Sequence, residues 1–180
     1  MSVYDPGSAF KIGWKFGANA GDHVGVDFKA PVGTRIPAAA AGTVVGRGYE
    51  DTYGNTLIIR HSGPTEPPYR YTLYAHMKEP SPLSLGDHVW RGRPVGEVDS
   101  TGNGGGEEPH LHFELVHLTE DDGSWESNWG RWFAKPEAQW DGSFALMIGG
   151  RVGRIDPLLD MNWDGVDVYQ PPTSFWQRRH

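Results

Sequence analysis

Short runs in which apolar and polar residues alternate, each bounded by glycine or proline, recur from residue 23 to residue 116. Successive side chains of a β-strand point to opposite faces, so this period of two predicts half-buried strands. No apolar repeat of helical period continues for long. The 25 glycines and 14 prolines in 180 residues also favour many short strands joined by tight turns. The sequence therefore predicts an antiparallel all-β domain.

Turn residues indicate how these strands are connected. The four alanines at 38–41 lie between Pro37 and Gly42, which leaves too little length for a helix, so a strand, a turn and a second strand are predicted there. A proline-bearing loop at 63–69 is predicted to join the two strands of a long hairpin. A turn at Gly86-Asp87 precedes two short strands, and a flexible glycine loop at 100–109 leads into the strand at His110.

The length of the chain suits one well-buried domain and is too short for two of ordinary size. We predict a single domain over residues 1–180, with a core of about 16–116 and 155–160. Residues 117–154 would form a long, polar, tryptophan-rich insertion with a candidate strand at 143–148, and residues 161–180 a C-terminal tail.

Charge and cysteine content exclude several classes of function. The net charge of -7 provides no basic stripe, which argues against a nucleic-acid partner or an anionic membrane surface. Cysteine is absent, so disulfides, cysteine-ligated zinc and thiol nucleophiles are excluded, and any metal must bind to His, Asp or Glu. Neither a secretory signal nor a membrane span is visible in the sequence. The helical H-E-x-x-H and the G-x-S-x-G motifs are also absent.

Two histidines lie one residue apart in the last alternating run. His110, His112 and Glu114 share one face of this strand, while Leu111, Phe113 and Leu115 share the other. The apolar face is predicted to lie in the core, so the histidine face should meet solvent, a cleft or a metal. An H-x-H pair alone is weak evidence, because such pairs are common by chance.

A second pair strengthens the case for a metal site. His23 and Asp27 are four residues apart in an alternating run, hence on one face. Catalytic zinc needs three ligands from His, Asp or Glu and a fourth position for water, whose pKa it lowers to about 7. His23, Asp27 and one of His110 and His112 would provide the three ligands. An unligated histidine could then accept a proton from that water or stabilise the developing oxyanion.

Six segments, in this order along the chain, resemble the lysostaphin/LytM type of zinc peptidoglycan endopeptidase, peptidase family M23: "HVGVDFKAPVGTRIPAAAAGTVV", "YGNTLIIRHSG", "YTLYAHM", "LGDHVWRGRPVGEVDSTG", "PHLHFEL" and "IDPL". The resemblance covers residues from about Phe16 to Leu159. It implies a compact antiparallel β-sandwich of the duplicated-hybrid-motif type, with the site in a groove on the sheet. It also implies one zinc ion on His23, Asp27 and His112, with His76 and His110 as catalytic histidines.

Alternation by itself also places His76 on one strand face with Thr72 and Tyr74. Among the other histidines, His61 follows a buried run and is interpreted as a structural partner. The remaining three, His88, His117 and His180, are predicted to be solvated.

The resemblance implies hydrolysis of peptide stems or cross-bridges of peptidoglycan, by a monomer acting at the bacterial cell wall. The long insertion departs from the family pattern, and no signal peptide or separate wall-binding module is visible. A bacteriolytic phage lysin that is released through a holin or carried on a virion needs neither a signal peptide nor a wall-binding module, so their absence favours this origin. The alternative is a non-catalytic LytM-like binding or structural domain; the five filled site positions favour the enzyme.

Four tryptophans in the insertion allow two interpretations: Trp125, Trp129, Trp132 and Trp140. Their flat indole faces suit sugar rings and would help the domain to bind the cell wall. Alternatively, they anchor the insertion onto the sandwich as buried aromatic residues.

Overall fold

The structure is a computed structural model that describes residues 9–18, 23–61, 69–102, 108–118 and 154–160. These ranges contain ten strands and one short helix. The strands are β1 (Lys11–Ile12), β2 (Val26–Lys29), β3 (Arg35–Pro37), β4 (Gly42–Glu50), β5 (Gly54–Arg60), β6 (Tyr69–Met77), β7 (His88–Val89), β8 (Pro94–Glu97), β9 (His110–Leu118) and β10 (Arg154–Ile155). The helix, α1, is Pro157–Asp160.

Eight of the strands form one large antiparallel sheet. Its order is β1-β2-β9-β6-β5-β4-β7, and β10 pairs with the C-terminal half of β9 beside β2. Strands β3 and β8 form a second, two-stranded sheet. The antiparallel all-β prediction is confirmed, as are the β5–β6 hairpin and the strand on each side of residues 38–41.

The hydrophobic core lies between these two sheets. The large sheet contributes one face, on which Phe28, Tyr74 and Phe113 are almost fully buried. Ile36 of β3 and Val95 of β8 pack against that face from the small sheet. Burial of this apolar area is the main term that holds the two layers together.

The opposite face of the large sheet carries the polar residues. In the register of β2 and β9, Asp27 is opposite His112 and Lys29 is opposite His110. Residues directly opposite each other in an antiparallel pair point to the same face, so four functional groups collect on one strip of the sheet. The predicted faces of these two strands are therefore confirmed.

The face predicted for His76 from simple alternation is wrong. Tyr74 lies in the core, so strict alternation would bring His76 into the core as well. Instead, the pairing of β5 with β6 shifts register between Asn55 and Leu57, and His76 has a φ of 58°. It is the one non-glycine residue with positive φ in the described part of the chain. This bulge turns His76 to the polar face and returns Met77 to the core.

Several sequence-based predictions lie outside the described residues. Strand β9 ends at Leu118 and β10 begins at Arg154, so most of the predicted insertion falls there, with its four tryptophans and the candidate strand at 143–148. The same is true of the tail and of residues 62–68 and 103–107 in the two predicted loops. Further along the chain, β10 pairs with β9 and Leu158 packs against the core. The described residues include no helix with the length and apolarity needed to cross a membrane.

His61 is a buried structural residue, as predicted. Its Nδ1 donates to the carbonyl oxygen of Ala41 at 2.7 Å, and its Nε2 lies 2.7 Å from Oγ1 of Thr72. Burial lowers the pKa of His61 to about 4, against the weaker opposing effect of the hydrogen bond to Ala41. The ring is therefore neutral in the folded protein throughout the neutral range. His88, by contrast, is exposed, as predicted.

This lowered pKa predicts a pH-dependent loss of stability. Below pH 6.5 the unfolded chain protonates His61 while the folded protein does not, so its contribution is intact above pH 6.5 and is lost as the pH falls to about 4. Between pH 7.5 and pH 4 we expect metal-free wild type to lose about 3 kcal/mol more of its unfolding free energy than His61→Gln loses. Urea titrations at several pH values measure this difference.

The control is His88→Gln, which changes an exposed histidine and should follow the wild-type pH profile. An identical pH dependence of His61→Gln and wild type would contradict the prediction.

Candidate metal and catalytic site

Three potential metal ligands meet on the polar face of the large sheet. His23 lies in the segment just before β2, Asp27 in β2 and His112 in β9. His112 Nδ1 is 2.9 Å from Asp27 Oδ1, and His23 Nε2 is 3.1 Å from Asp27 Oδ1 and 3.2 Å from His112 Nδ1. One potential ligand atom from each of the three residues falls within 4.8 Å of the others.

Hydrogen bonds at the far side of the His23 and His112 rings determine which of their nitrogens face the place where the three potential ligand atoms meet. His23 Nδ1 donates to the carbonyl oxygen of Lys15 at 2.9 Å, and His112 Nε2 donates to Oε1 of Glu114 at 3.1 Å. The lone pairs of the remaining nitrogens then point toward each other and toward the carboxylate of Asp27. Such convergence is favourable only when a proton or a metal ion lies among them. The two imidazoles and one carboxylate fit the ligand set of zinc.

The electrostatics of the site agree with this geometry. Burial by itself would raise the pKa of Asp27, but hydrogen bonds with His112 and His23, together with the charges of these two rings, outweigh it and hold that pKa well below its usual range. Burial by itself would lower the pKa of His112, but its hydrogen bonds with Asp27 and Glu114 raise it to about 9.

His76 and His110 lie directly beside the three potential ligands. The ring centroids of His76 and His110 are 4.8 Å apart, and His76 is 5.9 Å from His112. His76 Nδ1 donates to the carbonyl oxygen of Thr101 at 2.8 Å, and His110 Nδ1 donates to that of Glu108 at 2.8 Å. Burial and the charges of the neighbouring histidines lower the pKa of His76 to about 4. Both rings are therefore oriented through Nδ1 by a backbone carbonyl, and Nε2 of His110 lies 3.9 Å from Asp27 Oδ1.

A cavity of about 250 Å³ opens beside His110 and Asp27. Its other lining residues are Trp14, Lys29 and Glu108. Trp14 is 48% exposed and its ring lies edge-on to His23 at 5.8 Å, while Lys29 and Glu108 form an ion pair at the surface. This cavity offers an aromatic face and charges of both signs next to the candidate metal site.

The structure brings all five predicted site residues together on one face of the sheet. Sequence reasoning missed Gly25, whose close approach to His112 becomes visible only in the β2–β9 pair. A Cβ at Gly25 would lie 2.5 Å from the carbonyl oxygen of Phe113 and 2.9 Å from the His112 ring. Glu114 was predicted on the histidine face, but its bond to His112 was not predicted, and neither was the hydrogen bond that the Tyr53 hydroxyl donates to Glu114 Oε1 at 2.7 Å. Nothing in the alternation pattern distinguishes these residues from ordinary strand residues.

The fold and the site define a class: an antiparallel β-sheet protein with two histidines and one carboxylate that could hold a metal ion. Residues 21–124 match peptidase family M23, and since this is more than half of the chain, the chain belongs to that family. Family M23 peptidases are zinc enzymes. The family resemblance read from the sequence is confirmed.

Curated relatives match the same region. The chain is 40% identical to the DD-carboxypeptidase/endopeptidase Mpg of Neisseria meningitidis over 92 residues. These residues make up 51% of this chain and 19% of Mpg. It is 37% identical over 94 residues to the peptidoglycan DD-endopeptidase ShyC of Vibrio cholerae, 52% of this chain and 20% of ShyC. Lysostaphin of Staphylococcus simulans is 32% identical over 105 residues, 57% of this chain and 20% of lysostaphin. The chain spans about a fifth of the length of these relatives.

Solved structures show the same fold. A catalytic-domain variant of the prophage-encoded M23 protein EnpA from Enterococcus faecalis has a TM-score of 0.53 at 28% identity, covering 64% of this chain and 92% of that one. The catalytic domain of Staphylococcus simulans lysostaphin has a TM-score of 0.56 at 23% identity, covering 84% of this chain and 92% of that one. The lysostaphin-like fold is therefore confirmed.

The close contact at Gly25 leads to a prediction for Gly25→Ala. The added methyl group must displace the Phe113 carbonyl or the His112 ring, which we expect to destabilise the protein by about 1–3 kcal/mol and to lower zinc occupancy. Thermal unfolding and elemental analysis of the purified protein measure the two effects.

Gly86→Ala is the matched control. Gly86 has a φ of +86° but an added Cβ would meet nothing within 4 Å, so this variant should lose stability through backbone strain and retain its zinc. Full zinc occupancy in Gly25→Ala would show that the close approach does not shape the metal site.

Proposed function

We propose that this domain is a zinc-dependent endopeptidase that hydrolyses peptide bonds of bacterial peptidoglycan. One observation carries the proposal: three metal-ligand atoms converge within 4.8 Å, beside two oriented histidine rings, in a domain of peptidase family M23. The two rings are those of His76 and His110, each of which bonds a backbone carbonyl through Nδ1 and not through Nε2. A domain that only binds a partner has no need for two such histidines.

The names of the relatives support the substrate class but differ in the bond. ShyC is a peptidoglycan DD-endopeptidase, whereas ALE-1 of Staphylococcus capitis is a glycyl-glycine endopeptidase that is 32% identical over 105 residues. The shared part of these activities is cleavage of a peptide bond. We therefore propose peptide stems or cross-bridges as the substrate class and leave the particular bond to experiment.

We propose His23 Nε2, Asp27 Oδ1 and His112 Nδ1 as the ligand atoms for one zinc ion. Bound zinc supplies a Lewis acid that polarises a carbonyl group and lowers the pKa of water to about 7. The protein contributes the fixed ligand positions, because the tethers at Lys15 and Glu114 hold both rings in place before metal binds.

We propose His76 and His110 as the catalytic histidines. Because each donates its Nδ1 proton to a backbone carbonyl, Nε2 of the neutral ring carries a lone pair that can accept a proton. The proton taken from the attacking water by one ring can pass to the leaving amine. The second ring, after taking up a proton from solvent on Nε2, can donate a hydrogen bond to the developing oxyanion. Trp14, Lys29 and Glu108 beside them would contact the substrate peptide.

The non-catalytic alternative remains a distinct outcome of the tests. A domain that only binds cell wall would bind sacculi without releasing new amino termini. Phage origin, delivery through a holin or on a virion, a monomeric state and wall binding by the insertion all remain predictions from sequence.

Single substitutions should separate the ligand roles from the catalytic roles. We expect His76→Ala and His110→Ala to retain zinc and the fold but to lose on the order of a hundredfold or more in hydrolysis, because a proton acceptor or an oxyanion donor is removed. Asp27→Ala should lose zinc and activity together. Zinc content, thermal stability and release of amino groups from purified sacculi measure these effects.

His88→Ala is the control, because this exposed histidine lies away from the site and its removal should leave hydrolysis unchanged. Loss of zinc from either catalytic variant, or near wild-type hydrolysis by one of them, would contradict its assigned role.

Digestion of sacculi with different cross-link chemistry, followed by identification of the new amino termini, tests the proposed function itself. Release of termini that stops with a chelator and resumes with added zinc is the expected result. Zinc-loaded wild type that releases none from any wall type would overturn the proposal.

A further inference from the structure

A completely buried carboxylate lies directly behind the candidate metal site. Glu114 has no solvent exposure, and it is opposite Leu73 in the pairing of β9 with β6. Its Oε1 accepts a hydrogen bond from His112 Nε2 at 3.1 Å. A carboxylate is costly to bury unless hydrogen bonds compensate for its lost hydration, so its position here calls for a specific partner. That partner is the far nitrogen of a potential metal ligand.

Tyr53 makes the second bond to the same oxygen. Its hydroxyl donates to Glu114 Oε1 at 2.7 Å, and its ring lies edge-on to His112 with centroids 5.3 Å apart. The backbone amides of Thr52 and Tyr53 both donate to Glu50 Oε2, at 2.8 and 2.9 Å, which fixes the turn that carries Tyr53. Tyr53 therefore reaches Glu114 from a turn that is itself held in place.

Tyr53 also contacts the candidate catalytic histidine. Its carbonyl oxygen accepts the His76 backbone amide at 2.7 Å, and its ring stacks on the His76 ring at 6.4 Å with an interplanar angle of 13°. His76 has the left-handed backbone conformation, which costs energy and must be stabilised by its surroundings. One tyrosine thus contacts both a potential ligand and the strained catalytic position.

The geometry points to Glu114 and Tyr53 as a positioning pair that fixes His112 with its proton on Nε2, so that the Nδ1 lone pair faces the metal. This inference rests on the proposed function, because it assigns His112 as a ligand.

The physical reason is the choice between two neutral forms of the imidazole ring. With no partner at Nε2, His112 can carry its proton on either nitrogen, and the form with the proton on Nδ1 cannot bind metal through that atom. An acceptor at Nε2 selects the competent form and restricts rotation of the ring. Carboxylates that accept a hydrogen bond from a ligand histidine commonly contribute tenfold to a hundredfold to metal affinity.

Three variants test the pair. Glu114→Leu removes the acceptor and remains compatible with its apolar neighbour Leu73. Glu114→Gln keeps an oxygen that can accept both hydrogen bonds but removes the charge. Tyr53→Phe removes only the hydroxyl. The zinc dissociation constant is measured by competition with a chromophoric chelator at fixed pH, together with thermal unfolding of the metal-free protein.

We expect Glu114→Leu to bind zinc tenfold to a hundredfold more weakly than wild type and Glu114→Gln to fall in between. Tyr53→Phe should weaken zinc binding by a smaller factor, and it should have no further effect when Glu114 is already Leu. At saturating zinc, Tyr53→Phe and Glu114→Gln should recover most of their hydrolysis, because these residues act through the ligand and do not touch the substrate.

Tyr74→Phe is the matched control for a merely structural role. Tyr74 is also fully buried, and its hydroxyl accepts from the Ala39 amide at 2.9 Å on the core face of the sheet. It should lower thermal stability without changing the zinc dissociation constant. If Tyr53→Phe behaved in the same way, Tyr53 would not belong to the positioning pair.

The outcomes also distinguish this inference from the proposed function. Wild type that binds zinc through His112 but cleaves no peptidoglycan would overturn the function and leave the positioning pair intact. Active wild type together with unchanged zinc affinity in Glu114→Leu would overturn the pair alone. Wild type that binds no zinc would overturn both. Should Glu114→Leu fail to fold, Tyr53→Phe and Glu114→Gln decide the question.

Discussion

The pairing of β2 with β9 is the constraint on which the rest of the site depends. Its register sets Asp27 opposite His112 on the polar face and Val26 opposite Phe113 in the core. A slip of one residue would turn every side chain of a strand to the other face, so the core and the metal site depend on the same hydrogen bonds. Burial of Phe28, Leu111 and Phe113 thereby fixes the distance between two potential ligands that are 85 residues apart in sequence.

Placing the site on a sheet face requires polar groups to be buried. Asp27, His110, His112 and Glu114 are each less than a tenth exposed. Ionised or polar groups are stable at such depth only when each finds a partner, and here each one bonds another member of the site or a backbone carbonyl. The hydrogen bonds that satisfy these groups also orient the potential metal ligands. The same bonds therefore stabilise this face of the sheet and prepare it to bind metal.

Backbone strain at His76 brings the fifth candidate site residue next to the other four. A regular β6 would direct His76 into the core beside Tyr74, away from the candidate metal site. The register shift opposite Asn55 and the positive φ of His76 place its ring beside His110 instead. Asn55 supports this region of the chain, because its Nδ2 donates to the carbonyl oxygen of Met77 at 3.0 Å. Strained backbone of this kind persists only where neighbouring bonds hold it in this way.

The sequence by itself determined the strand faces that alternate regularly. Alternating runs bounded by glycine and proline were enough to predict the antiparallel fold, and the His23–Asp27 and His110–His112 spacings were enough to predict candidate ligands, with the choice between His110 and His112 left open. The family resemblance carried by the order of motifs then implied His112 as the third ligand and His76 and His110 as catalytic histidines. Tertiary structure alone decided that His76 departs from the regular alternation and that Gly25 leaves room for the His112 ring. It also decided that His112 Nε2 and the Tyr53 hydroxyl both bond Glu114. These features depend on strand register and on contacts between distant residues, and periodicity within one strand carries no information about either.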